Sequence, residues 1–389
     1  GEHVLNISRK CVFKWDGTKW IDLCLAEKDL ESFSFGNTAC FSTGVTSDDN
    51  LKFTAKADPN AEAYEFLASG SSKGVHSDNS ITFAEAKTDV TVKYYYPTDF
   101  LKPKMIDVAG SSSWKYGSEN SSTNVTIADF KMGETEVTQA QFEYVMGENP
   151  SDFRCGGNDN AKTYANKGNA TSDLPVETVN WYHAIAYCNK LSIREGKQPC
   201  YAVYGISAWV ELDYGNIPTS DNSDWNAATC DFSKDGYRLP TESEWEYAAR
   251  GGKNPTTTYL YAGAGSGNNA DNAALCTVAW FSGNNETNTT CNGTASDIYG
   301  AKPVKKKTAN DLGLHDMSGN VYEWTWSGNS DAFPAATPSN AVQVSGLNRV
   351  YRGGNWNVNE SSCRVSYGSH SSKHYRNDKI GFRVACKGD

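Results

Sequence analysis

Gly236-Tyr-Arg-Leu-Pro-Thr-Glu-Ser-Glu-Trp-Glu-Tyr-Ala-Ala-Arg-Gly-Gly252 is the stretch whose reading decides the fold. Thr241 followed by Glu244 has the form of a capping box, in which each side chain satisfies the other's free backbone amide. Trp245, Ala248 and Ala249 fall on one helical face, and Gly251 can stop the helix in a left-handed turn. Glu242, Glu244 and Glu246 suit the positive N-terminal end of such a helix better than they suit catalysis.

Working outward, two more helices announce their ends. Thr138-Gln-Ala-Gln141 is a second capping box before Phe142, Val145 and Met146, with Gly147 as the stop. Asn180 can cap a helix whose Trp181, Ala184, Ile185, Cys188 and Leu191 share a face and which closes near Gly196. Cys188 on that stripe reads as core. After Gly252, Gly, Asn, Ser and Thr dominate, so regular structure should be sparse and side-chain hydrogen bonds must hold the chain in shape. Residues 1 to about 100 read as β structure: alternating runs flank Asp16-Gly17, and Val90 to Tyr96 alternate. The stretch Pro97 to Pro103 reads as the joint, giving a small β-rich module over 1–100 and a second domain over 101–389.

Bulk properties limit the function. The chain has 389 residues, 38% of them hydrophobic, enough for a real core. A formal charge of −10 argues against nucleic acid as partner. No apolar run reaches the roughly 18 to 20 residues of a membrane span. The first residues, Gly1-Glu-His, carry no Met, so a leader or lipid anchor can have been removed. Eleven scattered cysteines without a CxxC pair fit an exported protein with disulfides better than a zinc cluster. Gly263-Ala-Gly-Ser-Gly-Asn lacks the end of a phosphate loop and reads as a turn. His370 and His374 lack helical spacing and need not converge on a metal. Asp316-Met-Ser-Gly-Asn-Val-Tyr-Glu-Trp sets two carboxylates around a glycine turn, which suits either a hard cation such as calcium or a tight turn bonded to its own backbone.

Read together, Gly133-Glu-Thr-Glu-Val-Thr-Gln, Leu174-Pro-Val-Glu-Thr-Val-Asn-Trp, the 236–252 stretch, Leu312-Gly-Leu-His-Asp-Met-Ser-Gly-Asn-Val-Tyr-Glu-Trp, Arg352-Gly-Gly-Asn-Trp and Gly381-Phe-Arg resemble the formylglycine-generating enzyme (sulfatase-modifying factor) family. The resemblance implies an α+β, C-type lectin-like fold with much irregular structure, preceded here by the small all-β module. It also implies a structural calcium on Asp316, Gly319, Val321 and Glu323. The family's oxidases carry a reactive cysteine pair soon after the Gly-Gly motif, whereas this chain has only Cys363 nearby. The expectation is therefore no redox cofactor and no enzyme; the competing reading is a formylglycine-generating-type or metal-dependent oxidase of a thiol substrate.

A narrower resemblance is to the variable proteins of bacterial diversity-generating retroelements, in which mutagenesis of adenines rewrites asparagine-type codons in a C-terminal repeat. Residues 355 to 380 are almost wholly Asn or outcomes reachable from it. Ser, Asn and Gly adapt their hydrogen bonding while Tyr and His supply rigid contact area, as in antibody loops. The expected variable region is about 350–384. Its expected ligand contacts are Asn355, Asn357, Asn359, Ser362, Ser366, Tyr367, Ser369, His370, His374, Tyr375, Asn377 and Asp378, with Trp356, Ile380 and Phe382 as scaffold. From 361 to 383, Arg364, Lys373, Arg376, Lys379 and Arg383 face only Asp378, so a negatively charged ligand is expected. The implied protein is a monomeric receptor or adhesin on a bacterial surface, an outer-membrane lipoprotein that binds another macromolecule, a protein.

Overall fold

A computed structural model describes residues 3–6, 11–15, 20–24, 30–33, 41–45, 51–55, 60–68, 71–83, 90–97, 99–117, 124–154, 171–252, 259–266, 272–285, 291, 299–329, 341–342, 346 and 348–389. The chain forms two compact units, one of residues 1–102 with 154–173 and one of residues 103–153 with 174–389.

All described elements of the first unit are strands. Cys11–Trp15 and Trp20–Cys24 pair antiparallel with Trp15 opposite Trp20; the Asp16-Gly17 turn expected between them lies outside the described residues. Val90–Pro97 runs between Leu30–Phe33 and Ala63–Ala68 in a four-stranded antiparallel sheet. There Phe66 and Tyr96 are buried, and the Tyr95 hydroxyl donates to Glu65 at 2.8 Å.

The second unit is mixed α and β, and its three long helices begin where the sequence places them. Helix α1 (Gln139–Met146) starts at the Thr138/Gln141 capping box and ends at Gly147, left-handed at φ 78°. Helix α2 (Trp181–Arg194) starts at Asn180, with His183 returning the capping bond. Helix α3 (Glu242–Ala249) starts at the Thr241/Glu244 box. The inward faces of α1 and α2 meet in one core, where Phe142 stacks on Tyr187 at 5.6 Å and Trp181 on Trp326 at 5.1 Å, while Trp245, Ala248 and Ala249 of α3 pack in a second. Cys188 is wholly buried in the first of these.

The region after Gly252 is largely irregular, as its composition implies, with short regular elements set into it. It holds a four-stranded sheet of β1 (Tyr322–Gly328), β2 (Asn348–Arg352), β3 (Gly368–Ser372) and β4 (Ile380–Phe382), in the order β3-β2-β1-β4. Strand β4 joins β1 in parallel, with Glu323 opposite Gly381; the side chain a β-carbon would add at Gly381 would meet the Val176 carbonyl at 2.2 Å. The acids of α3 do more than favour its dipole. Glu244 is fully buried in a two-pronged pair with Arg238 at 2.7 and 2.8 Å, and Glu246 is fully buried between Arg250 and Arg352.

Buried guanidinium groups recur through this unit. Arg383 pairs with Glu323 at 2.7 Å through two nitrogens and also donates to the carbonyls of Gly133 and His315. Removing one partner of such a pair strands a buried charge. Glu323→Ala is expected to cost about 3–5 kcal/mol in urea unfolding; a loss below about 1 kcal/mol would show that water reaches the pair.

Glu177, also fully buried, accepts the Phe153 amide and the Thr178 hydroxyl, yet burial outweighs these bonds and pushes its carboxyl up to about 8. A folded-state value above the unfolded one means that the folded chain holds the proton more tightly. This contribution is full below about pH 4.5 and is lost as pH rises through about 8. Denaturant unfolding from pH 5 to 8 should show falling stability that Glu177→Gln flattens; parallel curves for the two proteins would contradict it.

Candidate functional site: an outward-facing segment on a buried frame

The sheet fixes both ends of residues 353–379. Before them, Arg352 reaches under the segment. Its guanidinium pairs with Glu246 and Glu242 and donates to the carbonyls of Val365 and Ser366. After them, Ile380 and Phe382 are buried in β4. Between these ends the Trp356 ring is buried against Phe153 and Tyr299, and its indole N–H donates to the Asp378 carbonyl at 3.1 Å.

The frame grips this segment largely by its backbone. Amides of Trp181, Thr178 and Tyr322 donate to the carbonyls of Lys373, Asn377 and Lys379 at 2.8 to 3.0 Å. The Ser318 hydroxyl donates to the Cys363 carbonyl, and the Val365 amide to the Leu260 carbonyl. Backbone bonds of this kind do not depend on which side chain the segment carries at each position.

The side chains sort accordingly. Asn357, Asn359, Tyr367, His370 and Tyr375 are exposed; Ser362, Ser366, Ser369, His374, Asn377 and Asp378 are half-buried. Asn355 is the exception: it is 2% exposed, and its side-chain oxygen accepts the Asn357 amide at 2.8 Å in a local turn. It belongs to the scaffold and is removed from the expected contacts, because a short amide can satisfy its own backbone as readily as it meets a ligand.

Sequence reasoning missed two rings. Tyr322 and Tyr351 lie in the frame strands but are only partly buried, with centroids 4.7 Å apart. The Ser369 hydroxyl donates to the Tyr351 hydroxyl at 3.2 Å, and Asn377 donates to that of Tyr375 at 2.7 Å. Burial raises both Tyr322 and Tyr351 above the ordinary phenol value, and Tyr367 adds to the rise at each. Four tyrosines thus gather at one place, two from the frame and two from the segment. No alternation marks them in the sequence, since every residue of β1 after Tyr322 is buried.

Charge is distributed differently from the sequence expectation. Lys373 is 3% exposed and donates to the Asn226 carbonyl at 2.9 Å; burial pushes its ammonium down to about 8, with Arg349 adding to the fall. Lys379 pairs with Asp378 and lies over the Trp356 ring, and Arg383 is spent on Glu323. Of the five cations, only Arg376 is exposed, with Arg364 half-buried. The long aliphatic stems serve packing here, so a cation count overstates the positive surface.

The residues expected to hold calcium lie among buried carboxylates. Both Glu323 oxygens are occupied, by Arg383 and by the Trp245 indole N–H at 2.6 Å. Asp316 keeps one buried oxygen without a hydrogen-bond partner, while its other accepts the Lys305 amide. Its neighbour in this deficit is Glu136, fully buried with neither oxygen bonded. Burial and then mutual repulsion push Glu136 well above the carboxylate range, and burial brings Asp316 to about 6. Of the expected residues Asp316, Gly319, Val321 and Glu323, Glu323 is tied into an ion pair with Arg383, and among the described residues no three His, Cys, Asp or Glu are grouped together. His370 and His374 bond separately, to Asn348 and Ser372.

This frame, with its sequence signatures, defines a class. The sulfatase-modifying factor enzyme 1-like domain matches residues 98–387, and the chain belongs to that family. Chaperone protein LppX of Paenibacillus barcinonensis is 36% identical over 268 residues, 68% of this chain and 82% of its own length. Treponema denticola variable protein 1 is similar in structure, with 35% identity and a TM-score of 0.59 across 73% of this chain and 95% of the other. The formylglycine-generating enzyme of Streptomyces coelicolor is 34% identical over 170 residues, 42% of this chain and about half (51%) of the enzyme. The fold is the α+β, C-type lectin-like fold of these proteins, and the likeness to a treponemal variable protein expected from residues 355–380 is present.

Tyr367→Ala and Tyr375→Ala should each leave unfolding free energy within about 0.5 kcal/mol of the parent, since both rings are more than a third exposed. Trp356→Ala should cost about 3–5 kcal/mol. Equal losses at all three would mean that the segment and its frame are a single core.

Proposed function

We propose that this protein is a non-enzymatic receptor or adhesin that binds a macromolecular ligand, a protein, through residues 357–378. The observation that carries the reading is the division within one segment: backbone fastened to the frame, side chains turned outward, and four tyrosines gathered among serines and asparagines. Rigid aromatic area beside adaptable hydroxyls and amides is the composition of protein-binding loops. The names of two relatives agree, one a variable protein and one a chaperone. Contacts fall on Asn357, Asn359, Ser362, Ser366, Tyr367, Ser369, His370, His374, Tyr375, Asn377 and Asp378, joined by Tyr322 and Tyr351. The protein acts as a monomer at the bacterial surface, held by a lipid anchor, and its segment varies in the manner of retroelement-diversified proteins.

The oxidase reading draws support from the formylglycine-generating relatives. Against it stands Cys363, wholly buried and with its thiol pushed up by burial, where a nucleophile needs a low value and access.

Two measurements on the same protein separate the readings. Cells displaying a partner selected for binding to the full chain should lose capture by about tenfold or more with Tyr367→Ala/Tyr375→Ala, the size expected for interface anchors. A sulfatase-type cysteine peptide incubated with the protein, copper and oxygen should keep its mass. Conversion of that cysteine to formylglycine would overturn the proposal.

A further inference from the structure

Three thiols meet beneath the 201–229 excursion. Cys188 projects from α2; Cys200 precedes the short strand Tyr201–Ala202; Cys230 lies in the strand Thr229–Asp231. All three are buried as free thiols. Tyr201 stands opposite Cys230, and the Asp231 amide donates to the Cys200 carbonyl at 2.9 Å. Cys200 lies just before the paired residues, opposite Asp231 and one position from Cys230, so the meeting of the two thiols belongs to the irregular end of the ladder. Their side chains are in hydrogen-bonding contact, whereas Cys188 is only near them.

The excursion that they close has a role in the site. It contains the single helical turn Ser223–Asn226, capped by Asn222. The Asn226 carbonyl receives the Lys373 ammonium at 2.9 Å, and its side chain accepts the Tyr182 hydroxyl at 2.6 Å. Lys373 is thereby drawn inward at the middle of the outward-facing segment.

We propose that in an oxidising compartment Cys200 and Cys230 form a disulfide, and that this bond clamps the excursion whose Asn226 anchors the segment at Lys373. The chemistry is thiol–disulfide exchange with a small or protein disulfide. Either thiol, as its thiolate in the unpacked chain, can begin the exchange; Cys200 is taken as the attacker. It opens the partner disulfide, forming a mixed disulfide and releasing one thiol. Cys230 then displaces the second. Two electrons and the two thiol protons pass to the partner, which leaves as two thiols. Both cysteines are closed off in the folded unit, so the exchange belongs to folding, before this shell packs.

The compartment is part of the surface-protein reading, but the bond is tested apart from ligand binding. The full chain is exported to a bacterial periplasm, its thiols are blocked with N-ethylmaleimide in denaturant, and it is digested with trypsin without reductant. No Lys or Arg lies between Gln198 and Asp231, so one peptide, 198–234, carries both cysteines and Cys188 falls on another. Peptide 198–234 should be unlabelled and lighter by two hydrogens, and should take two labels after reduction, with Cys188 labelled throughout. Two labels before reduction, or a cross-link to the Cys188 peptide, would overturn the bond. Cys200→Ser/Cys230→Ser should speed hydrogen exchange of the amides at 372–377; unchanged exchange there would overturn the clamp.

Discussion

Four of the buried arginines carry the second unit. Arg238, Arg250, Arg352 and Arg383 are nearly or wholly withdrawn from water, and each meets a buried glutamate. Their remaining donors go to main-chain carbonyls, those of Leu239, Gly117, Val365, His315 and Gly133. A chain with so much loop leaves many backbone acceptors without a regular partner, and each is costly to bury unpaired. A planar fork with five donors and a permanent charge answers several at once while its carboxylate partner cancels the charge.

That solution explains how an irregular region can be rigid. Arg352 links α3 to the loop at Val365, and Trp356 closes the same loop against Asp378. Because the grip is on backbone groups and on a few fixed side chains, the other positions are relieved of structural duty. Tyr367, His370 and Tyr375 can be what a ligand requires without altering what holds the chain. On the proposed binding role, the frame contributes to the face as well, through Tyr322 and Tyr351.

Much of this was legible in the sequence where the signal is local. Capping boxes at Thr138 and Thr241 and the Asn180 cap depend on residues three apart, and all three helices start there. The outward segment was legible too, because its composition departs from that of a core. What was not legible depends on partners far along the chain. Nothing near Glu323 in the sequence announces Arg383, sixty residues on, which bonds both of its oxygens. Lys373 counts as surface charge until Asn226 draws it inward, and Asn355 as a contact until its own turn hides it. Polar residues state a chemistry in the sequence, and only the fold assigns the partner.

Separation of a fixed frame from a changeable face is most directly tested by sequencing this locus from many single cells of one culture. Substitutions should gather at 357, 359, 361–362, 366–367, 369–370, 374–375 and 377–378, with Arg352, Trp356, Lys373, Ile380, Phe382 and Arg383 unchanged. A segment identical in every cell, or changes spread equally over the buried frame, would contradict it.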